Sequence, residues 1–214
     1  GARIGAQKVS ASAPIDVPCS GSWQELTTSA KGVLILNGDS ARLPLPNGTV
    51  DAVVTDPPYF DFVHYSELSD FFFAWLAPVL KDRYPWFNKA DSSDAGEVQQ
   101  KDPRAFARQL SYVFAESRRV LKEEGVLAFS FHHSRADGWA AIYEAVANAG
   151  LFVVAAHPVH AELRAASPKS AAKDPISLDA ILVCRKRPRA AKHAFSEDDV
   201  IRHTGALVRK LEGG

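Results

Sequence analysis

Apolar positions along this chain follow two rhythms. Short unbroken apolar runs predict buried strands at Val33-Leu34-Ile35-Leu36, Val50 to Thr55, Gly125 to Phe131, Leu151 to Ala156 and Ala180 to Cys184. Longer stretches repeat apolar residues every third or fourth position and predict helices. One covers 64–80, where Leu68, Phe71, Phe72, Trp75, Leu76 and Val79 would form a wide apolar face, with Phe71-Phe72-Phe73 and Trp75 expected as core or as a docking face. A second covers 104–123, with Phe106, Leu110, Val113, Phe114 and Val120-Leu121 on one side. A third runs from Trp139 to Asn148 and stops at Gly150, and 197–211 reads as a short polar helix.

The segments between these elements are polar or rich in turn formers. Residues 1–32 are weakly patterned and read as an arm or loop-rich segment. Asn37-Gly38-Asp39 closes the first strand, and Pro44, Pro46 and Asn47-Gly48 make a turn-rich connection. Residues 85–103 break the helical pattern, and Asp91-Ser92-Ser93-Asp94-Ala95-Gly96 marks them as an exposed insert. The stretch around Arg164-Ala165-Ala166-Ser167-Pro168-Lys169 is a long loop. The expected organisation is an arm at 1–32, a main unit at 33–187 and an extension at 188–214. Strands alternating with helices predict an α/β fold with a mostly parallel sheet. Active sites in such sheets lie beyond the carboxyl ends of the strands. Asp39, Asp56 and His132 each follow such an end and are expected to converge on one crevice.

Composition narrows the classes. With 214 residues the chain can bury a sizeable core in one domain. Lys+Arg and Asp+Glu are both 25, which argues against a polybasic binder. Cys19 and Cys184 are far apart and form no Cys-x-x-Cys pair, so a zinc ribbon within the chain is excluded and a reducing, cytoplasmic compartment is the default. No apolar stretch is long enough to span a membrane. The chain starts at Gly1 and has no methionine, which suggests a fragment or a processed chain.

The chemistry concentrates at Asp56-Pro57-Pro58-Tyr59, where a strand runs into a stiff corner. Both prolines fix φ and lack an N–H, so the corner is preset and its carbonyls are left to accept. A carboxylate beside an aromatic ring suits a flat ring carrying an amine. Asp56 and the Pro57 carbonyl can accept from the amine, and Tyr59 can stack on the ring. On the ring's account alone, Tyr59→Phe is expected to keep most activity. Phe60, His64 and Tyr65 are further stacking candidates, with helix-start packing as the alternative. His132 and His133 are adjacent at a strand end and point to opposite sides, so no metal chelate is expected, and a pocket wall or a solvated strand end both remain open. Asp39 can accept from an amine or close an Asx turn with Ser40. Arg185-Lys186-Arg187, with Arg189 and Lys192, can contact phosphates or simply be a solvated end.

Asp56 to Tyr59 matches the Asp/Asn-Pro-Pro-Tyr motif of amino-directed S-adenosylmethionine (SAM) methyltransferases. Residues 33–59 resemble the second half of a class I, Rossmann-like methyltransferase. In that likeness Gly38-Asp39-Ser40 approaches the adenine of SAM, Asp56 to Tyr59 follows the fourth strand, and Arg118 to Leu127 is the junction into the fifth. The last two strands would be the sixth and seventh, the seventh antiparallel. The longer set is more specific. Thr55 to Asp61 with Tyr65-Ser66-Glu67-Leu68-Ser69-Asp70-Phe71-Phe72, Phe131-His132-His133, and Leu178 to Arg187 resemble the DUF1156 family of prokaryotic adenine-specific DNA methylases.

The resemblance implies SAM as cofactor, held by Asp39, Ser40 and Asp56. It implies catalysis by Asp56, Pro57, Pro58 and Tyr59, with Tyr65, His132 and His133 around the substrate. DNA is the implied partner, most simply at adenine N6, in a DNA-modification or defence context. A base inside a duplex would have to flip out to be reached. Cytosine N4, RNA guanine N2 and protein glutamine are variants. A non-catalytic nucleic-acid-binding or assembly module is the alternative. That family has a glycine-rich turn after its first strand, and no Gly-x-Gly occurs in residues 1–32 or after 187. The implied sheet therefore lacks its N-terminal strands here, and the methionine side of the cofactor site is expected from the missing N-terminal half or a partner subunit.

Overall fold

The computed structural model describes residues 17–60, 65–160, 178–188 and 202. Its elements are β1 (Cys19–Ser20), α1 (Trp23–Thr28), β2 (Val33–Leu34), β3 (Val50–Thr55), α2 (Tyr65–Leu80), a 3-10 turn at Pro85–Phe87, α3 (Pro103–Val120), β4 (Leu121–Phe131), α4 (Ala136–Asn148), β5 (Leu151–His160) and β6 (Leu178–Lys186). The expected helix at 197–211 and the loop around 164–169 lie outside the described residues, Arg202 excepted.

The main sheet has the order β3-β4-β6-β5. β3 and β4 are parallel, with Val53 opposite Leu127 and Thr55 opposite Phe129. β6 runs antiparallel to both neighbours, placing Ala180 opposite Phe131 and Cys184 opposite Val153. Three strands thus share one direction and the last in sequence opposes them, as the mostly parallel α/β reading expects. One expectation fails. The strand at 33–36 does not join this sheet. Val33–Leu34 pairs in parallel with Cys19–Ser20 in a separate two-stranded sheet. It is not buried either, since Val33, Ile35 and Leu36 are exposed. Only two residues of the apolar run find a partner, and Asn37 and Gly38 then turn the chain away.

The core lies where α3 and α4 cover the sheet. α3 starts on an Asp102 cap that accepts from the Ala105 N–H, with Pro103 in the first turn, where no N–H is needed. Phe106, Leu110, Phe114 and Val120 recur at helical spacing and are fully buried. Phe106, Leu110 and Phe114 share one cluster with the alternate residues Leu127, Phe129 and Phe131 of β4, and the Phe114 and Phe129 rings sit 5.0 Å apart. Ile142, Ala145 and Val146 of α4 complete the cluster. Gly150 ends α4 at φ 72°, a left-handed turn that glycine adopts without strain.

α2 behaves differently. Leu68, Phe71, Phe72, Trp75 and Val79 are 63–77% exposed, so the core alternative for this cluster is overturned. Phe73 instead stacks on Phe87 at 5.5 Å, which anchors the segment after the helix. Residues 17–32 hold more order than an arm would. Ser22 caps α1 by accepting from the Glu25 N–H, and Glu25 accepts from Gly21 in return. No helix of the described residues is long and apolar enough to cross a membrane.

Candidate active site

The corner after β3 is anchored from both ends. Pro57 and Phe60 are buried while Asp56, between strand and corner, is exposed. Tyr59 is clamped edge-on between Phe131 at 5.5 Å and His132 at 4.6 Å. Its hydroxyl donates to Asp56 Oδ1 at 2.9 Å, and the Ser130 hydroxyl donates to the same oxygen. Two donors on one oxygen fix the carboxylate plane and turn Oδ2 toward other partners. Burial pushes the Tyr59 phenol up to about 12, and the adjacent Asp56 carboxylate adds to this against the opposing effect of Ser130. The phenol therefore stays protonated, and a donor, at any working pH. Tyr59 lines neither cavity at Asp56, and its hydroxyl orients that carboxylate.

The two histidines diverge, as their adjacency predicts. His132 faces Asp179, with Nδ1 and Oδ1 2.5 Å apart and both side chains largely buried. His133 turns the other way. The Phe60 carbonyl accepts from its Nε2 at 2.9 Å, and its Nδ1 accepts from the Arg135 N–H at 3.1 Å. His133 therefore ties the corner to the start of α4. Gly138 allows this approach, because a Cβ there would lie 2.5 Å from the ring. Among the described residues, no group of three or more His, Cys, Asp or Glu is placed to hold a metal ion.

Two cavities meet at Asp56. The first, ≈ 670 Å³, lies between Asn37-Gly38-Asp39-Ser40 and Thr55 to Pro58. Asp39 and Asp56 share it, so two of the three strand-end residues do converge. Asp39 also closes an Asx turn, accepting from the Ala41 N–H at 2.8 Å. The second cavity, ≈ 400 Å³, lies between Asp56, Pro58 and the start of α2 at Tyr65, Ser66 and Ser69. His132 and His133 line neither cavity. His132 touches the corner through the Tyr59 ring.

The insert at 85–103 is part of the site. Glu97 and Val98 line both cavities, and Ser92 and Gln99 line the second. The Ser92 N–H donates to Asp70 at 2.7 Å and its hydroxyl donates to the Ser66 carbonyl at 2.9 Å, pinning the insert to α2. That N–H holds the Asp70 carboxyl below its usual value. Sequence reasoning passed over Ser130, Asp179 and the Glu97–Gln99 segment. A signal existed for Asp179, an acidic residue at the head of an apolar strand. None existed for the insert, whose composition reads as exposed loop.

No protein-family model and no curated protein matches the chain. Solved structures do show similarity. One is a provisionally assigned DNA modification methylase of Thermus thermophilus, 18% identical, with a TM-score of 0.41, covering 75% of this chain and 55% of that one. The same protein complexed with S-adenosyl-L-methionine gives 19% and 0.40, covering 75% and 57%. A SAM-dependent methyltransferase of Methanosarcina mazei is 10% identical, with a TM-score of 0.36, covering 79% of this chain and 80% of that one. The chain thus spans little more than half the length of the Thermus protein.

Proposed function

We propose that this chain carries the acceptor side of a SAM-dependent DNA methyltransferase of the DUF1156 adenine-specific type, acting on an exocyclic amine, adenine N6 in the first place. The observation that carries the reading is the Asp56 carboxylate, locked at Oδ1 by Tyr59 and Ser130 at the junction of two cavities. Such an arrangement suits a reaction between two bound molecules that meet at one carboxylate.

The residues fit the cofactor on its adenine side. Asp39 and Ser40 line the larger cavity, where an acidic acceptor and a hydroxyl can bind an amine and a ring nitrogen. SAM would supply an electrophilic methyl on a sulfonium. The chain's residues do the rest. An aromatic amine is a poor nucleophile because its lone pair is delocalised into the ring. Asp56 Oδ2 and the Pro57 carbonyl accept its two hydrogens, favour a pyramidal nitrogen and expose the lone pair. Tyr59 and Ser130 contribute by holding Asp56 in that pose, and positioning of this kind supplies much of the rate in group transfer. The nitrogen's proton leaves after attack, with Asp56 nearest to receive it.

β3 ends the main sheet, and its outer edge is unpaired among the described residues. We place the methionine side of the cofactor site on a further segment at that edge, from the same protein or a partner subunit. The test, with the segment at the β3 edge supplied by the complete protein or its partner, is transfer of tritiated methyl from SAM to duplex DNA, followed by nucleoside analysis. Asp56→Ala should abolish transfer with folding intact. Near-normal turnover by that variant would remove Asp56 from the mechanism. Label on cytosine N4 would change only the base, and label on protein alone would remove DNA as substrate.

A further inference from the structure

α2 turns its apolar side to solvent. Leu68, Phe71, Phe72, Trp75, Leu76 and Val79 form one stripe at helical spacing and are 47–77% exposed. The half-buried positions Ser66, Asp70, Phe73 and Ala77 lie on the opposite side. There Ser92 bonds to Ser66 and Asp70, and Phe87 stacks on Phe73. The side of α2 used within the chain is therefore the more polar one. The side left over is apolar and uncharged, since Glu67 and Asp70 both stand off the stripe.

The size of this patch is that of an interface. A fully exposed aromatic side chain offers about 150–250 Å², so Phe71, Phe72 and Trp75 present roughly 400 Å² between them. Leu68, Leu76, Val79 and the adjoining Tyr65 bring the total to roughly 700–800 Å², against about 300–600 Å² for the largest patch of an ordinary monomer. One side of a standard protein interface buries about 800 Å².

The stripe is also its own complement. Turned end over end about the midpoint between Phe73 and Ala74, it maps onto itself: Leu68 falls on Val79, Phe71 on Leu76 and Phe72 on Trp75. A twofold axis at that point makes one patch serve both partners. Charge selects the same direction. Glu67 and Asp70 lie at the N-terminal end of α2, while Lys81 and Arg83, with Asp82 between them, follow its C-terminal end. Antiparallel pairing brings acidic end to basic end and opposes the helix dipoles, whereas parallel pairing would set like charges side by side.

We propose that α2 is a dimer seam, on which a second copy of this chain docks antiparallel with Phe72 and Trp75 of both copies at the centre. The inference is independent of the methyl-transfer reading. It has a consequence for the site, because Tyr65 and Ser66 line the smaller cavity at Asp56. The twofold axis carries Lys81 and Arg83 of one copy to that end of the other, so each cavity is bordered by a basic segment from the second copy.

The experiment is analytical ultracentrifugation of the full chain at about 100 μM, above the weak end of the μM-to-pM range that interfaces of ordinary size show. Wild type should sediment as a dimer. Trp75→Glu and Phe72→Glu place a charge at the centre of the seam, and each should weaken the dimer by more than about tenfold. Both side chains are exposed in the single chain, so the far-UV circular dichroism should match wild type. Tyr112→Glu, which changes an exposed aromatic of α3, should leave the dimer intact. Orientation is read with a short bismaleimide on a Cys19→Ser background: Leu68→Cys chains should link to Val79→Cys chains and not to one another. A monomeric wild type would overturn the proposal and assign the stripe to a different partner, such as the segment placed at the β3 edge. A dimer that survives both Trp75→Glu and Phe72→Glu, or that links Leu68→Cys chains to one another, would overturn it as well.

Discussion

Arg119 offers a test of the structure that needs no activity. Its guanidinium donates to the Leu43 carbonyl at 3.0 Å, the Leu45 carbonyl at 2.8 Å and Asn47 Oδ1 at 2.6 Å. It also grips Glu116 bidentately, at 2.6 and 2.8 Å, and Glu116 accepts from the Leu43 N–H. One side chain of α3 therefore fastens the 39–49 connection that leads from Asp39 to β3. Arg119→Ala removes three bonds to that connection. The guanidinium is about a third exposed, so each bond counts at the lower end of about 0.5–1.5 kcal/mol, for a total of about 2 kcal/mol. At this chain length that lowers Tm by roughly 4–8 °C. Arg119→Lys should recover less than half, since one ammonium cannot reproduce the fork. Arg119 holds the Glu116 carboxyl below its usual 4.5. A depressed carboxylate stabilises above the unfolded value, and this is lost as pH falls through the native one. The difference between wild type and Arg119→Ala should therefore shrink below about pH 4.5. Thermal melts across pH, with limited proteolysis at 37–49, give the answer. A Tm within 1 °C of wild type and an unchanged cleavage pattern would refute the fastening role.

Other expectations concern the site and the core. Tyr59→Phe should lower kcat by roughly tenfold, because it removes a donor from Asp56 while Ser130 stays; wild-type turnover would show that the hydroxyl is idle. Gly138→Ala should destabilise the corner, since its Cβ would strike the His133 ring, and a melt matching wild type would mean that the ring yields freely. Burial pushes the Cys184 thiol up to about 11, so a thiol reagent at pH 8 should modify Cys19 quickly and Cys184 only on unfolding. Rapid labelling of both would contradict that packing.

Much of the frame was legible because its elements have clean periods. α3 and β4 alternate buried and exposed positions at 3.6 and 2.0, so Phe106, Leu110, Leu127 and Phe129 declare their faces. The corner after Thr55 was legible as a strand end because two successive prolines fix φ and offer no N–H. What could not be read depends on long-range contact. Ser130 looks like an ordinary half-buried strand residue until β3 lies parallel beside it. Ser92 and Gln99 look like loop until α2 is there to receive them. The stretch 33–36 misled because apolarity alone does not name a partner strand. The face of α2 misled similarly, since an amphipathic stripe shows that something could be covered without showing that it is.

The strand order carries a consequence for synthesis. Among the described residues β6 is the last strand made, yet it lies between β4 and β5. Until Leu178–Lys186 has left the ribosome, β4 has an open inner edge, and β5 has no strand partner among the described residues. A nascent chain that ends before Leu178 would then present Phe129 and Phe131 beside unpaired backbone, a template for pairing with other chains. The pairing of β6 with β4 joins segments far apart in sequence, which makes that step slow as well as late. Chains truncated before residue 178 should therefore emerge bound to chaperones or in aggregates, while chains ending after residue 188 escape that fate.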